Sequence, residues 1–144
     1  MKRHVRLGIN IDHVATLRNA RGEDYPNVVK AAKIVEKSGA DLITVHIRED
    51  RRHINEKDLA DVLNVVKIPV NLEISLNTEM IEIANEYKPH SICFVPEKRQ
   101  ELTTEGGLDV VKNYDKLKKN LKKLDDTSIK IALFIDPDKD QLIS

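Results

Sequence analysis

The feature that most constrains the fold is a repeated alternation of short apolar runs with longer amphipathic stretches. The runs are rich in Val, Ile and Leu and predict strands, whereas the stretches carry apolar residues at helical spacing and predict helices. The predicted strands cover residues 5–11, 42–47, 69–74, 91–95 and 129–135, and the predicted helices cover residues 27–38, 56–66, 78–87 and 108–124. A further element is expected to begin at about residue 138. This order predicts right-handed crossovers and a parallel sheet whose strands are buried on both faces.

Residues at the ends of the predicted helices support these boundaries. Pro26 precedes the first helix and Gly39 follows it, which is the usual asymmetry of helix ends. Asn55 is a suitable N-cap for the second helix. The lysine-rich stretch at residues 116–123 has only a narrow leucine stripe, which favours the solvated outer face of a helix over a membrane-surface helix.

Two architectures fit such a sheet: a doubly wound open sheet and a (β/α)8 barrel. The glycine fingerprint of dinucleotide-binding sheets does not follow the first strand, and no phosphate-loop motif occurs. Polar residues instead follow all five strands, as in barrels, whose active sites lie at the carboxyl ends of the strands. These residues are Asn10, Asp12 and His13, then His46 and Arg48, then Asn71 and Glu73, then residues 96–99, and finally Asp136. The sequence therefore predicts a single α/β domain over residues 1–144, a (β/α)8 TIM barrel truncated to about its first five β/α units.

Charge balance and cysteine content exclude several classes of partner. Lys plus Arg and Asp plus Glu number 24 each, and this zero net charge argues against a nucleic-acid partner. No apolar run approaches the roughly 20 residues of a spanning helix, and no apolar signal region stands at the start. The sequence therefore predicts a cytoplasmic protein with no membrane partner. The single cysteine, Cys93, fits a reducing compartment and is interpreted as a buried core thiol rather than a nucleophile.

Three strand ends carry groups that suit acid–base chemistry. Strand alternation predicts that Asn10 and Asp12 point to the same side, although Asp12 could simply cap the next turn. His46 and Arg48 share a face, and a fixed cation beside an imidazole favours its proton-free form, which suits a general base. Glu73 ends an apolar strand, where desolvation would raise its pKa, unless the strand end faces solvent.

Two loops are candidates for phosphate binding. Residues 48–53 form a mixed-charge loop in which Arg and His side chains can hold a phosphate, although such a loop is commonly just solvated. Residues 102–107 place hydroxyls and glycines before a helix, which suits either an anion nest or an ordinary flexible cap. No set of His, Cys and carboxylate residues has the spacing of a metal site, so no metal is predicted.

Three long segments carry a resemblance to a known family. They are residues 8–22 (GINIDHVATLRNARG), residues 44–54 (TVHIREDRRHI) and residues 95–109 (VPEKRQELTTEGGLD). In this order and at this spacing they resemble the pyridoxine 5′-phosphate synthase family of vitamin B6 biosynthesis, and the resemblance extends over essentially the whole chain. It implies a (β/α)8 barrel, a symmetric homo-octamer and no metal or organic cofactor.

The resemblance also implies a reaction and a set of site residues. The family joins 1-deoxy-D-xylulose 5-phosphate to 3-amino-2-oxopropyl phosphate and releases phosphate and water. The implied acid–base residues are His46 and Glu73. The implied ligands of the aminoketone phosphate are Asn10 and Arg21. The implied ligands of the sugar phosphate are Asp12, His13, Arg48, His53 and Thr103. Residues 96–107 resemble the loop that closes over the site and excludes water.

The chain is shorter than a complete barrel, which needs about 200 to 250 residues and eight strands. The family's second half supplies a further catalytic histidine and a glycine-rich phosphate-binding stretch, so we expect the 144-residue chain alone to have little synthase activity. Two alternatives stay open at this point. One is another phosphate-handling barrel enzyme, an isomerase or aldolase, for which Lys130 is the only lysine on a predicted strand. The other is a half-barrel that only binds phosphorylated ligands.

Overall fold

The computed structural model describes residues 5–97, 106–124 and 128–144. Within them, five strands alternate with helices. The strands are β1 (Gly8–Asn10), β2 (Leu42–His46), β3 (Val70–Ile74), β4 (Ser91–Phe94) and β5 (Lys130–Leu133). The helices are α1 (Asp12–Arg21), α2 (Val28–Lys37), α3 (Glu56–Val65), α4 (Thr78–Tyr87), α5 (Val110–Leu121) and α6 (Lys139–Ile143). The predicted alternation of strands and helices is confirmed except for α1, which was not predicted, and the predicted bounds of α4 match those observed.

The strands form one parallel sheet in the order β1-β2-β3-β4-β5. Right-handed crossovers between strands in consecutive order place all the connecting helices on the same face of the sheet. A doubly wound sheet would reverse its order at a switch point, and the described strands show no reversal. The topology therefore selects the barrel arrangement from the two architectures that the sequence allowed.

The two faces of the sheet differ in burial, and the prediction that the strands are buried on both faces is wrong. Alternate residues on the helix-covered face are completely buried, namely Ile43, Val45, Leu72, Ile92 and Phe94. The intervening residues, among them Thr44, Asn71, Glu73 and Cys93, are only partly buried. All connecting helices lie on one side, so the other face would be covered only by further strands curling round to meet it. That second face carries the polar side chains.

Helix α1 was not predicted: residues 5–11 were assigned to one long strand, and no helix was expected before residue 27. In the structure β1 is only three residues long and Asp12 begins a helix. The local signals were present: Asp12 lies in the first turn, Arg18 and Arg21 in the last turn, and Gly22 ends the helix with a left-handed φ of 67°. A bidentate contact from Arg18 to Asp58, at 2.5 and 2.9 Å, joins α1 to α3.

Side-chain caps fix the starts of the other helices. The Asn55 side chain accepts from the Asp58 backbone N–H at 2.9 Å, and the Asp58 carboxylate accepts from the Asn55 backbone N–H at 3.1 Å. This reciprocal capping box confirms the predicted N-cap of α3. Asp109 caps α5 in a simpler way, by accepting from the Lys112 backbone N–H at 3.0 Å. These caps set where each helix leaves the rim of strand ends.

Gly107 lies where the backbone before α5 crosses the end of β5. A Cβ at this position would approach the Asp136 nitrogen to 2.2 Å and the Ile135 carbonyl carbon to 2.4 Å. We therefore expect Gly107→Ala to lower the free energy of unfolding by about 2 kcal/mol, because backbone must move to make room. Urea denaturation measures this change. Gly8→Ala is the matched control, since its nearest neighbour is a Leu42 methyl at 3.4 Å; equal effects of the two substitutions would contradict the steric explanation.

Candidate active site

Asp12 joins the carboxyl ends of β1 and β2. It is the first residue of α1, and its side chain is buried beneath the rim of the sheet. One carboxylate oxygen accepts from the backbone N–H of His46 at 2.7 Å, and the other accepts from the Asn10 amide at 2.7 Å. The Asp12 backbone N–H in turn donates to the Asn10 side-chain oxygen at 2.9 Å. Asn10 and Asp12 thus lie on the same side, as predicted, although Asp12 lies on a helix rather than a strand and the hydrogen bonds between them were not predicted.

The imidazole of His46 lies between two carboxylates. Its Nε2 is 2.9 Å from Glu97 Oε1, and its Nδ1 is 3.9 Å from Glu73 Oε2. His46 and Glu73 are direct partners in the register of β2 and β3, which places both side chains on the polar face of the sheet. The sequence argument relied on the charge of Arg48 next to His46. The groups that lie within 4 Å of the ring nitrogens include two carboxylates, and one of them, Glu97, had been grouped only with the polar residues after the fourth strand.

Burial raises the pKa of Glu73, and the negative charge of Asp12 raises it further, while the nearby His46 opposes the shift. Desolvation was the cause that the sequence predicted. The same face carries Cys93, the register partner of Glu73 on β4. Burial, and then the charge of Glu73, raises the pKa of the Cys93 thiol to about 11. Cys93 therefore stays a neutral thiol at physiological pH, although it is half-buried rather than a core residue.

Replacing Glu73 by glutamine is expected to stabilise the folded chain at neutral pH, by on the order of 1 kcal/mol. Because folding raises the pKa of this carboxyl above its ordinary value of 4.5, the folded state loses stability as the pH rises through the raised pKa. The substitution removes that loss. Chemical denaturation at pH 7 and pH 4 measures the resulting increase in the free energy of unfolding. The increase should be smaller at pH 4, and an equal increase at both pH values would contradict the explanation.

His53 and His13 meet at a hydroxyl that sequence reasoning missed. Thr16 Oγ1 lies 2.6 Å from Nδ1 of the buried His53 and 3.4 Å from Nδ1 of the exposed His13. The two rings stand edge to face with their centroids 5.4 Å apart. Burial, above all, lowers the pKa of His53. Thr16 could have been found only by predicting α1, because it lies one helical turn after Asp12 and His13.

Arg48 borders an open cavity of about 350 Å3 next to His46. The cavity is lined by Arg48, Glu49, Asp50 and Glu97. Arg48 is almost completely buried, and its Nε lies 3.7 Å from Asp50 Oδ1. The hydrogen bond from Arg52 lowers the pKa of Asp50, so this carboxylate is ionised at neutral pH. A buried guanidinium at the wall of a cavity is suited to bind an anion.

Of the predicted ligands, one lies away from this cluster and another is not among the described residues. Arg21 is exposed at the far end of α1, about 13 Å along the helix axis from Asp12. Thr103 lies outside the described residues, as does most of the segment at residues 96–107 that was interpreted as a closing loop. Its described ends show Glu97 directed at His46 and Gly107 packed against the chain after β5.

Three side chains of the cluster could together hold a metal ion, which sequence spacing did not predict. Asp12, His46 and Glu73 each offer a ligand atom, and these atoms lie within 4.8 Å of one another. Both oxygens of Asp12, however, already accept short hydrogen bonds from protein donors. A cation bound here would share these oxygens with the protein donors, because each carboxylate oxygen has a second lone pair. None of the described helices is long and apolar enough to cross a membrane.

Together, a parallel sheet in consecutive order and titratable side chains at its carboxyl rim define the barrel class of α/β proteins. Comparison with known proteins gives the family. The model of the family described as "Pyridoxal phosphate biosynthesis protein PdxJ" matches residues 7–144, and the chain belongs to this family of (β/α)8 barrels. The resemblance of the three sequence segments is therefore confirmed.

Curated relatives carry the name pyridoxine 5′-phosphate synthase. The protein of Wolbachia sp. subsp. Drosophila simulans (strain wRi) is 56% identical over 138 residues, which are 96% of this chain and 59% of the relative. That of Photobacterium profundum is 53% identical over 139 residues, 96% of this chain and 57% of the relative. That of Ehrlichia chaffeensis is 55% identical over 138 residues, 96% of this chain and 58% of the relative. The chain thus spans somewhat more than half the length of these relatives.

Proposed function

We propose that this chain forms the N-terminal part of the active site of a pyridoxine 5′-phosphate synthase, a transferase. Its reaction joins 1-deoxy-D-xylulose 5-phosphate to 3-amino-2-oxopropyl phosphate and yields pyridoxine 5′-phosphate, inorganic phosphate and water. The observation that carries the proposal is the cluster of Asp12, His46 and Glu73 at the ends of three adjacent strand units. Relatives that share more than half of the aligned residues carry this name.

The cluster suits the chemistry of this condensation. The amine of one substrate attacks a carbonyl carbon of the other, and water must then leave to form an imine. These steps, and the later eliminations, need groups that alternately accept and give up protons. We assign this exchange to His46 and Glu73, which lie side by side at 3.9 Å. The raised pKa of Glu73 makes its carboxylate a stronger proton acceptor than an ordinary glutamate.

Two anionic substrates need cationic and hydrogen-bonding partners. For the sugar phosphate we assign Asp12, His13, Arg48, His53 and Thr103. For the aminoketone phosphate we assign Asn10 and Arg21. The first set is supported by the cavity beside Arg48 and by the contact of both histidines with Thr16. The second set has less support, because Arg21 is remote from Asn10. Binding both substrates at once lowers the entropic cost of joining them.

The aldolase alternative has little support. Schiff-base chemistry needs a lysine at the carboxyl rim, whereas Lys130 is at the start of β5. There it borders a different cavity, with Arg6 and His90, at the amino ends of the strands. The other alternative is a half-barrel that binds phosphorylated ligands but catalyses no reaction, so it differs from the synthase only in the absence of turnover. We propose that the 144-residue chain by itself binds ligand without turning it over, because the described strands leave the polar face of the sheet uncovered.

The setting of the proposed enzyme follows from the family resemblance. We propose a cytoplasmic homo-oligomer, an octamer, that uses no metal or organic cofactor. Extended dialysis of a protein that joins this chain to the C-terminal part of the Wolbachia relative, against a chelator, is therefore expected to leave synthase activity unchanged. A loss of activity that a divalent cation restores would contradict this, and Asp12, His46 and Glu73 would be the candidate ligands.

Calorimetric titration of the chain with 1-deoxy-D-xylulose 5-phosphate tests the proposed ligand class. We expect saturable binding that is tighter than that of inorganic phosphate, because the sugar hydroxyls meet the polar groups at the strand ends. The titration is repeated after Arg6→Gln, a control at the opposite edge of the sheet that should not change the affinity. A folded chain that binds the sugar phosphate no better than phosphate would contradict the proposal.

A further inference from the structure

Glu97 is a nearly buried carboxylate, and each of its two oxygens has a hydrogen-bond partner. It follows β4, and its side chain is only 7% exposed. Oε1 lies 2.9 Å from Nε2 of His46, and Oε2 accepts from the backbone N–H of Glu49 at 3.1 Å. Burying a carboxylate is costly unless its oxygens are satisfied, so this arrangement is a specific feature of the rim rather than an incidental contact.

The contact determines where His46 carries its proton. A carboxylate only accepts hydrogen bonds, so the imidazole must carry its hydrogen on Nε2 to bond with Glu97. In the neutral ring the lone pair then lies on Nδ1, which faces Glu73 at 3.9 Å. We propose that Glu97 is a positioning residue, which fixes the Nε2–H tautomer of His46 and directs its proton-accepting Nδ1 toward Glu73. For its catalytic meaning this inference rests on the proposed function.

A chain of hydrogen bonds across three loops holds Glu97 in place. The Glu49 side chain accepts from Ser75 Oγ at 2.7 Å and from Asn77 Nδ2 at 2.7 Å, while its backbone N–H donates to Glu97. The loops after β2, β3 and β4 are thereby joined at their bases. Glu97 acts through His46, as second-layer carboxylates do for metal-bound histidines, by fixing the tautomer and the ring orientation.

The test is 15N NMR of the imidazole nitrogens of the 144-residue chain, on the alkaline side of the histidine titration. In the unsubstituted chain we expect His46 to carry its hydrogen on Nε2. Glu97→Gln offers one acceptor and one amide donor in place of two acceptors, so the ratio of Nδ1–H to Nε2–H tautomer should rise roughly tenfold, as the loss of one charge-assisted hydrogen bond requires. The control, Glu82→Gln on the exposed side of α4, should leave the ratio unchanged.

Two outcomes would overturn the inference: a His46 that carries its hydrogen on Nδ1 in the unsubstituted chain, or a tautomer ratio that Glu97→Gln leaves unchanged. The tautomer of His46 is first measured in the unsubstituted chain, so the inference can be tested even if Glu97→Gln fails to fold. Neither outcome bears on the proposed function, which depends on ligand binding and turnover. If His46 carries its hydrogen on Nδ1 while the chain still binds 1-deoxy-D-xylulose 5-phosphate, only the role of Glu97 is contradicted.

Discussion

His46→Asn is expected to lower kcat by roughly a hundredfold to ten-thousandfold, the usual contribution of a positioned general acid–base group. The measurement uses a protein that joins this chain to the C-terminal part of the Wolbachia relative, which this chain does not cover. Asparagine can still donate an amide hydrogen to Glu97 and can fill much of the space of the ring. It cannot accept and return a proton, so the loss should fall on kcat rather than on substrate affinity.

The matched control for this loss is His90→Asn. His90 immediately precedes β4 at the amino edge of the sheet and is exposed, so the same chemical change is made away from the rim. We expect its kcat to stay within about threefold of that of the unsubstituted protein, as is usual for surface substitutions. A His46→Asn protein that turns over as fast as this control would contradict the assignment of His46 as an acid–base residue.

Arg48→Gln is expected to weaken the binding of 1-deoxy-D-xylulose 5-phosphate by roughly tenfold to a hundredfold, which is the worth of a hydrogen bond to a charged group. Arg48 is 2% exposed, and it borders the cavity of about 350 Å3 beside His46. Water screens the attraction between a buried guanidinium and a phosphate only weakly. Glutamine removes the charge but keeps part of the side chain. Calorimetric titration of the chain measures the change.

The control for the loss of a positive charge is Arg6→Gln, at the opposite edge of the sheet. It changes the net charge by the same amount and should alter the affinity by less than about twofold, because exposed charges at that distance are largely screened. Thermal unfolding of both variants establishes that each is folded. Equal weakening by the two substitutions would show that the sugar phosphate responds to overall charge and that Arg48 does not bind it.

The arrangement of strands and helices could be predicted because it depends on periodicity along the chain. Helix α4 was predicted with its observed bounds, and Asn55 was recognised as a cap, since both rest on local sequence. His46 and Glu73 were also found, because each ends an apolar strand with a polar group. The structure adds that they are partners in the parallel register, which explains why they meet.

What could not be predicted depends on contacts between residues far apart in the chain. Nothing local to Glu97 indicates that it meets His46, 51 residues earlier. Thr16 was missed because α1 was missed, and α1 was missed because it buries only Asp12 and Ala15 and so lacks the apolar stripe by which the other helices were recognised. The sheet is buried on one face because its strands are in consecutive order, and strand order cannot be read directly from the sequence.

The most direct test is to measure pyridoxine 5′-phosphate formation from both substrates by the joined protein and by the 144-residue chain alone. We predict that the joined protein makes product at a rate within about tenfold of the Wolbachia relative, because the strand-end groups of the two parts then face one another across a closed barrel. The chain alone should make none above background. A folded joined protein that binds both substrates but forms no product, under conditions in which the relative does, would contradict the account.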